Sequence, residues 1–310
     1  MSARQQGGWQ KEAQRCARLY EGFAAATPFV NAAYECVHRF FEDHPVKAQP
    51  PLDPDEVACK LRAGTSLEIN PALATGEVVE LLTRLSAALA ESNPKLKATA
   101  EALKARFEQF RRDSQDVAGK EEVRRLFESA VDAGELEQDL ATFLLTLTLS
   151  SFYRQHLQST SGGLRTDPWR EGHCPLCGEK PHYGLIRRED GAKQLECWLC
   201  GTRWVHTRIK CPFCSNEEQD DLGYFTVYDR EMCRVNFCRR CHQYVKIIDA
   251  RKLEAGEDII LAIHNLSTLS HDLLARQEGF APGSGLQWIN KAEMNSGHEP
   301  IDKAGRNASK

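Results

Sequence analysis

From residue 9 to about residue 156, apolar residues recur at intervals of three and four, as at Val78, Leu82, Leu85 and Leu89 and again at Leu136, Leu140, Phe143 and Leu147. This is the period of one face of an α-helix, with polar residues filling the positions between. Four helix starts pair a capping residue with proline: Thr27-Pro28, Asp53-Pro54, Asn70-Pro71 and Asn93-Pro94. At such a start the side-chain oxygen takes up a free amide and proline fits the first turn. The pattern predicts six or seven short antiparallel helices, near 9–24, 28–43, 54–62, 71–90, 94–111, 120–131 and 134–157, with a proline-rich loop from His44 to Pro54.

The helical period stops at Gln158 to Gly172, a stretch rich in Ser, Gly and Thr that reads as a linker. Short β-prone runs follow, at Arg203–Ile209, Tyr224–Tyr228 and Tyr244–Ile248. Helical spacing returns over Asp258 to Glu278 through Ile259, Ile263, Leu266, Leu269 and Leu273, and predicts one closing helix. The expected division is a helical domain over 1–160, a linker over 161–172, a first module over 173–205, a second over 206–252, a C-terminal helix over 253–280 and a mobile tail over 281–310.

Composition narrows the partners. The chain has 310 residues, 41% of them hydrophobic and 27% charged, enough for at least one real core, and its formal net charge is -4. That balance disfavours a protein that coats polyanions. The least polar stretch, Leu140 to Tyr153, is about fourteen residues and broken by Thr and Ser, too short to span a bilayer, so no membrane insertion is expected. Residues 1–12 are polar and offer no apolar export signal, so the expected location is the cytoplasm.

Twelve cysteines change the picture, because eight of them form four Cys-x-x-Cys pairs within 68 residues. Cys174-Pro-Leu-Cys177 is separated by 19 residues from Cys197-Trp-Leu-Cys200, and Cys211-Pro-Phe-Cys214 by 23 from Cys238-Arg-Arg-Cys241. Nothing in the sequence directs the chain to an oxidising compartment, so metal binding accounts for the cluster better than disulfides do. A Cys-x-x-Cys turn aims two sulfurs at one side, and two such knuckles complete a tetrahedral S4 shell. Gly178 and Gly201 suit the position after a knuckle. The tandem repeat favours sequential pairing, with Cys174, Cys177, Cys197 and Cys200 at one metal and Cys211, Cys214, Cys238 and Cys241 at the other; cross-braced pairing is the alternative. Two mononuclear ions are expected, and the ligands alone decide nothing between iron and zinc.

The resulting fold class is α+β multidomain: an N-terminal all-α domain, two tandem small β-rich rubredoxin-like or zinc-ribbon-like metal modules, and a closing C-terminal helix. Other residues read more plainly. His173, His182, His206 and His242 lie near knuckles but face complete thiolate shells, Trp198, Trp204 and Tyr244 suit packing, and Cys16, Cys36, Cys59 and His38 read as helix core. Cys233 is a ninth cysteine of the region; a small buried residue describes it best, with a redox or alternate-ligand role as the other reading. No catalytic motif is present, so no catalytic residue is assigned.

The motifs resemble those of the FdhE family of formate dehydrogenase accessory proteins. The residues are Cys174-Pro-Leu-Cys-Gly178, Cys197-Trp-Leu-Cys-Gly-Thr-Arg-Trp204, Arg208-Ile-Lys-Cys211, Cys238 to Cys241 followed by Tyr244-Val-Lys-Ile-Ile248, and Glu278-Gly-Phe280. His242, where the family carries glycine, and Cys233 depart from it. The resemblance implies a cytoplasmic assembly factor that binds the catalytic subunit of a respiratory formate dehydrogenase, holds rubredoxin-like iron and is not itself an enzyme; it leaves a homodimer open. The alternative is a zinc-ribbon nucleic-acid or transcription-associated protein. Charge weakens it: residues 173–252 hold 14 Lys and Arg against 11 Asp and Glu, and two divalent ions with eight thiolates would bring the region close to neutral.

Overall fold

The computed structural model describes residues 8–20, 22–46, 52–160, 167, 169–227, 232–254 and 259–284. Its contacts divide the chain into two compact units, residues 1–52 with 70–163 and residues 53–69 with 164–310. The expected order of a helical region followed by a β-rich one is observed.

The first unit is helical: α1 (Gly8–Leu19), α2 (Thr27–Asp43), α4 (Thr75–Ser92), α5 (Lys97–Asp113), α6 (Lys120–Asp132) and α7 (Gln138–Thr160), with one short antiparallel pair, β1 (Leu73–Ala74) and β2 (Val117–Ala118). Helix α4 is its hub and packs against α2, α5 and α7. The apolar stripe read from the sequence, Val78, Leu82, Leu85 and Leu89, is fully buried. The caps divide. Asp53 and Asn93 accept hydrogen bonds from the amides of Asp55 (2.9 Å) and Lys95 (3.3 Å), as N-caps do. Thr27 instead donates to the carbonyl of Phe23 from inside α2 (3.3 Å), and Asn70 accepts from the Tyr153 hydroxyl while its helix begins at Thr75.

The second unit begins earlier than the linker suggested. Helix α3 (Pro54–Arg62) belongs to it, because the segment that follows pairs with the first cysteine knuckle: the amides of Leu67 and Ile69 donate to the carbonyls of Pro175 and Leu176 at 2.9 and 2.8 Å. Much of the expected linker, 161–166 and Pro168, lies outside the described residues.

The two cysteine modules are not separate beads. Strands β3 (Pro181–Ile186), β4 (Lys193–Cys197), β5 (Arg203–Val205), β6 (Leu222–Phe225), β7 (Cys233–Cys238) and β8 (Gln243–Asp249) form one sheet in the order β5-β4-β3-β8-β7-β6, and β9 (Ala281–Pro282) also pairs with β8. The join is the parallel pairing of β3 with β8, from Tyr183 opposite Lys246 to Ile186 opposite Asp249. Strand β7 was not among the β-prone runs, although Cys233, Val235 and Phe237 alternate with Arg234 and Asn236 and turn inward as that alternation requires.

The closing helix is two helices, α8 (Leu261–Ser267) and α9 (Leu269–Gln277), broken at Thr268. The cause lies in β8. The buried Lys246 ammonium donates to the carbonyls of Asn265 (2.8 Å) and Thr268 (3.4 Å) and pairs with Asp272 at 2.5 Å, while the Tyr244 hydroxyl donates to the same carboxylate at 2.6 Å. These bonds satisfy carbonyls that a continuous helix would have used itself. Helix α9 then ends in a Schellman motif, with Gly279 at φ 80° and the amides of Gly279 and Phe280 donating to the carbonyls of Arg276 and Ala275. The ring of Phe280 stacks on Phe237 with centroids 4.5 Å apart. The first residues of the expected tail are thus part of the sheet, and the tail beyond Ser284 lies outside the described residues.

Replacing Asp272 by Ala strands a buried ammonium and is expected to cost about 3–5 kcal/mol in urea denaturation. Leu273→Ala, on the exposed side of α9, is expected to stay within about 0.5 kcal/mol. Equal losses for the two variants would overturn this account of the helix break.

Candidate metal centres

Three of the four knuckles share one pattern of backbone hydrogen bonds. The amides of Gly178, Gly201 and Ser215 donate back to the carbonyls of Cys174, Cys197 and Cys211, at 3.0 to 3.1 Å. The amides of those cysteines in turn donate across the turn to the carbonyls of Glu179, Thr202 and Asn216, at 2.8 to 2.9 Å. Inside the first knuckle of each module an amide also points at sulfur, Leu176 at Cys174 and Phe213 at Cys211, both at 3.4 Å. All four residues that follow a knuckle hold a left-handed backbone: Gly178 (φ 78°), Gly201 (72°), Ser215 (58°) and His242 (53°). The sequence marked the two glycines; Ser215 and His242 take the same conformation in spite of their Cβ atoms, which leaves the second module with the more strained turns.

The sulfurs of Cys174, Cys177, Cys197 and Cys200 gather into one group and those of Cys211, Cys214, Cys238 and Cys241 into another, with all sulfurs of a group within 4.8 Å of one another. The grouping is therefore sequential and not cross-braced. Separations of 3.4 and 3.5 Å in the first group and 3.7 and 3.8 Å in the second are far beyond an S–S bond, and all twelve cysteines are free. A metal–sulfur bond of about 2.3 Å in a tetrahedron places sulfurs about 3.8 Å apart, so the donor set fits one four-coordinate ion per group. Charge gives the same answer. Burial pushes the thiols of Cys174, Cys197 and Cys241 well up and that of Cys211 to about 11, so thiolates at these positions need a cation among them. Both groups can hold a metal ion, and its identity is not fixed by the sulfur geometry.

The surroundings differ. The segment at 67–69 lies along the first knuckle, and three of the first group's four cysteines are buried. In the second group Cys214 and Cys241 are only half-buried. The carboxamide of Asn216 lies 3.8 Å from the Cys238 sulfur and donates to Asp221 at 2.9 Å. Lys193, on β4, is buried and donates to the carbonyls of Arg208 and Lys210, both 3.2 Å away, in the connection that leads to Cys211. Burial pulls its pKa down to about 8.

The histidines near the knuckles stand outside both sulfur groups. His182 shares a hydrogen bond with Ser284, and burial lowers its pKa to about 4; His206 contacts the carbonyl of Thr207 at 3.0 Å, and burial lowers it to about 3. Trp198, Trp204 and Tyr244 are buried, and the Trp204 indole donates to the carbonyl of Glu171 at 2.9 Å. Cys233 is fully buried on β7, apart from both groups, and burial pushes its thiol up to about 12. Of the cysteines expected in the helix core, Cys16 is buried, Cys36 is half-buried, and Cys59 is exposed because it lies on the outer face of α3. His38 is partly exposed and pairs with Glu42 at 3.4 Å.

Residues 173–208 match the family model described as FdhE, central domain. A Protein FdhE homolog of Aquifex aeolicus is 32% identical over 150 residues, 47% of this chain and 52% of that one. Protein FdhE of Salmonella paratyphi A is 30% identical over 162 residues, half of each chain. The chain is similar to the FdhE proteins over about half of its length. The crystal structure of the FdhE protein from Pseudomonas aeruginosa shares the fold, with a TM-score of 0.55 and 21% identity, covering 89% of this chain and 93% of that one. By sequence the chain spans about half the length of the curated FdhE relatives it matches. The FdhE-like segments outside the knuckles now have physical roles: Tyr244 and Lys246 grip Asp272, Gly279 ends α9, and Phe280 closes over Phe237. His242 occupies a position whose backbone favours glycine, which is the residue the resemblance led us to expect there.

Gly178→Ala and Gly201→Ala are expected to destabilise the metal-loaded chain by about 1–2 kcal/mol each. Ser215→Gly and His242→Gly are expected to be neutral or stabilising by up to about 1 kcal/mol, since relief of the left-handed turn outweighs glycine's added freedom. Thermal unfolding reads all four, and an unshifted midpoint for both alanine variants would overturn the assignment of strain.

Proposed function

We propose that the chain is an accessory protein in formate dehydrogenase maturation, a cytoplasmic, chaperone-like factor that binds the catalytic subunit and is not an enzyme. Cys174, Cys177, Cys197 and Cys200 hold one mononuclear metal ion, and Cys211, Cys214, Cys238 and Cys241 hold a second. The observation that carries this reading is the pair of complete four-sulfur groups on one sheet, the first of them inside the stretch that matches the FdhE central domain. Four sulfurs fill a tetrahedral shell, whereas a hydrolytic metal keeps a position open for water, so the groups suit holding and not turnover. Iron in such a shell supplies a one-electron couple, and zinc supplies a cross-link alone; the family resemblance favours iron.

The chain's own residues do the remaining work. Knuckle amides aimed at Cys174 and Cys211 take part of the thiolate charge, and the parallel pairing of β3 with β8 keeps the two groups in a fixed relation. No helix among the described residues is long and apolar enough to cross a membrane. The zinc-ribbon nucleic-acid reading rests on Arg239 and Arg240 in the last knuckle; Arg239 lies over the Phe237 ring and donates to the carbonyl of Asp220, and Arg240 is exposed.

Anaerobic purification with metal analysis is expected to find two equivalents per chain, with a red absorbing protein for iron and a colourless one for zinc. Cys174→Ser and Cys211→Ser are each expected to lose about one equivalent. Co-purification from cells that express a formate dehydrogenase is expected to recover its catalytic subunit. Its reproducible absence, or salt-sensitive retention of DNA in its place, would overturn the accessory role.

A further inference from the structure

We propose that Lys193 is a positioning residue for the second cysteine group: it carries a buried positive charge from β4, a strand of the first module, to the side of Cys211 and so strengthens that group's hold on its metal ion. The proposal rests on the reading of the groups as metal sites, and it names a residue outside both ligand sets.

Three observations converge on it. First, Lys193 is 3% exposed, and among the described residues no carboxylate pairs with it. The other buried lysine among them, Lys246, has Asp272 at 2.5 Å. A buried ammonium without a counter-ion is costly unless negative charge lies near it. Second, that charge is at hand. Lys193 lines a cavity of about 40 Å³ together with Lys210, Asn236, Cys211 and Cys238, two of them ligands of the second group. Four thiolates around a divalent ion leave a net charge of about -2, which a neighbouring ammonium offsets strongly in a site of low dielectric constant. Third, the ammonium is held in place. It donates to the carbonyls of Arg208 and Lys210, so its position is tied to the chain that enters the Cys211 knuckle.

The two groups have equal ligands and matching amide-to-sulfur contacts, Leu176 to Cys174 and Phe213 to Cys211. Those contacts therefore cannot distinguish them, and the buried ammonium can. It also stands beside the group that needs it more, since Cys214 and Cys241 are half-buried and their turns include the left-handed Ser215 and His242.

The test uses the full chain loaded with Zn2+ and titrated with a colorimetric chelator. Wild type is expected to release two equivalents, and a wild-type chain that holds none at the second group overturns the metal reading and the proposal together. Lys193→Gln is expected to release one equivalent at about 10- to 100-fold lower chelator concentration and the other unchanged, with Lys193→Arg close to wild type. If Lys193→Gln does not fold by circular dichroism, Lys193→Met, which keeps the apolar stem, carries the same test. Two unchanged equivalents, two equally weakened ones, or an arginine variant as weak as the glutamine variant would each overturn the role of the charge while leaving the metal reading intact.

Discussion

Eight sulfur atoms, five of them on buried cysteines, are gathered in two groups of four, and the second unit depends on how their crowding and charge are balanced. A thiolate pressed against three others is repelled, and a thiol in the same place wastes a strong donor; a cation at the centre removes both problems. Metal-stapled modules of this size draw on that coordination in place of a large apolar core, with structural zinc contributing about 10–16 kcal/mol in peptide models. The knuckles are shaped for it down to the backbone, since each reverses direction through a left-handed residue directly after its second cysteine.

The sheet converts two local staples into one body. Two ribbons joined by a short connection could tumble independently, but β3 and β8 share a parallel register over Tyr183–Ile186 and Lys246–Asp249. Strand β8 is thus bound on one edge to the first ribbon and on the other to β7, and its inward side chains reach α8 and α9 through Lys246 and Tyr244. A buried lysine in a central strand is costly to desolvate, and here the cost is offset by one carboxylate and two helix carbonyls. That network specifies where the closing helix must break, which a run of leucines would not.

The sequence made legible whatever depends on local spacing. The Cys-x-x-Cys repeat identified all eight grouped cysteines and their sequential arrangement, and the stripe through Val78, Leu82, Leu85 and Leu89 located the hub helix. Long-range choices were hidden. Nothing local says that β3 pairs with β8, that residues 67–69 run along the first knuckle, or that Lys246 interrupts a helix some twenty residues later. Strand β7 was readable in principle from Cys233, Val235 and Phe237, but two of its cysteines drew attention to metal chemistry and away from the alternation. Asn70-Pro71 resembled the other caps, yet Asn70 is taken by the Tyr153 hydroxyl, a tertiary contact that outweighs a capping preference of about 1 kcal/mol.

The repeated Cys-x-x-Cys units supply two equal ligand sets, and equal sets in equal surroundings would behave alike. The surroundings differ. The first group has glycine after both knuckles and the 67–69 segment against its first turn; the second has Ser215 and His242 in those places, half-buried sulfurs and a neighbouring lysine contributed by the other ribbon. The first group is thus the more covered of the two and the second the more open, on one sheet. Lys193 ties the connection 208–211 to β4, the strand that ends in Cys197, so the two groups are linked through a buried side chain as well as through the sheet.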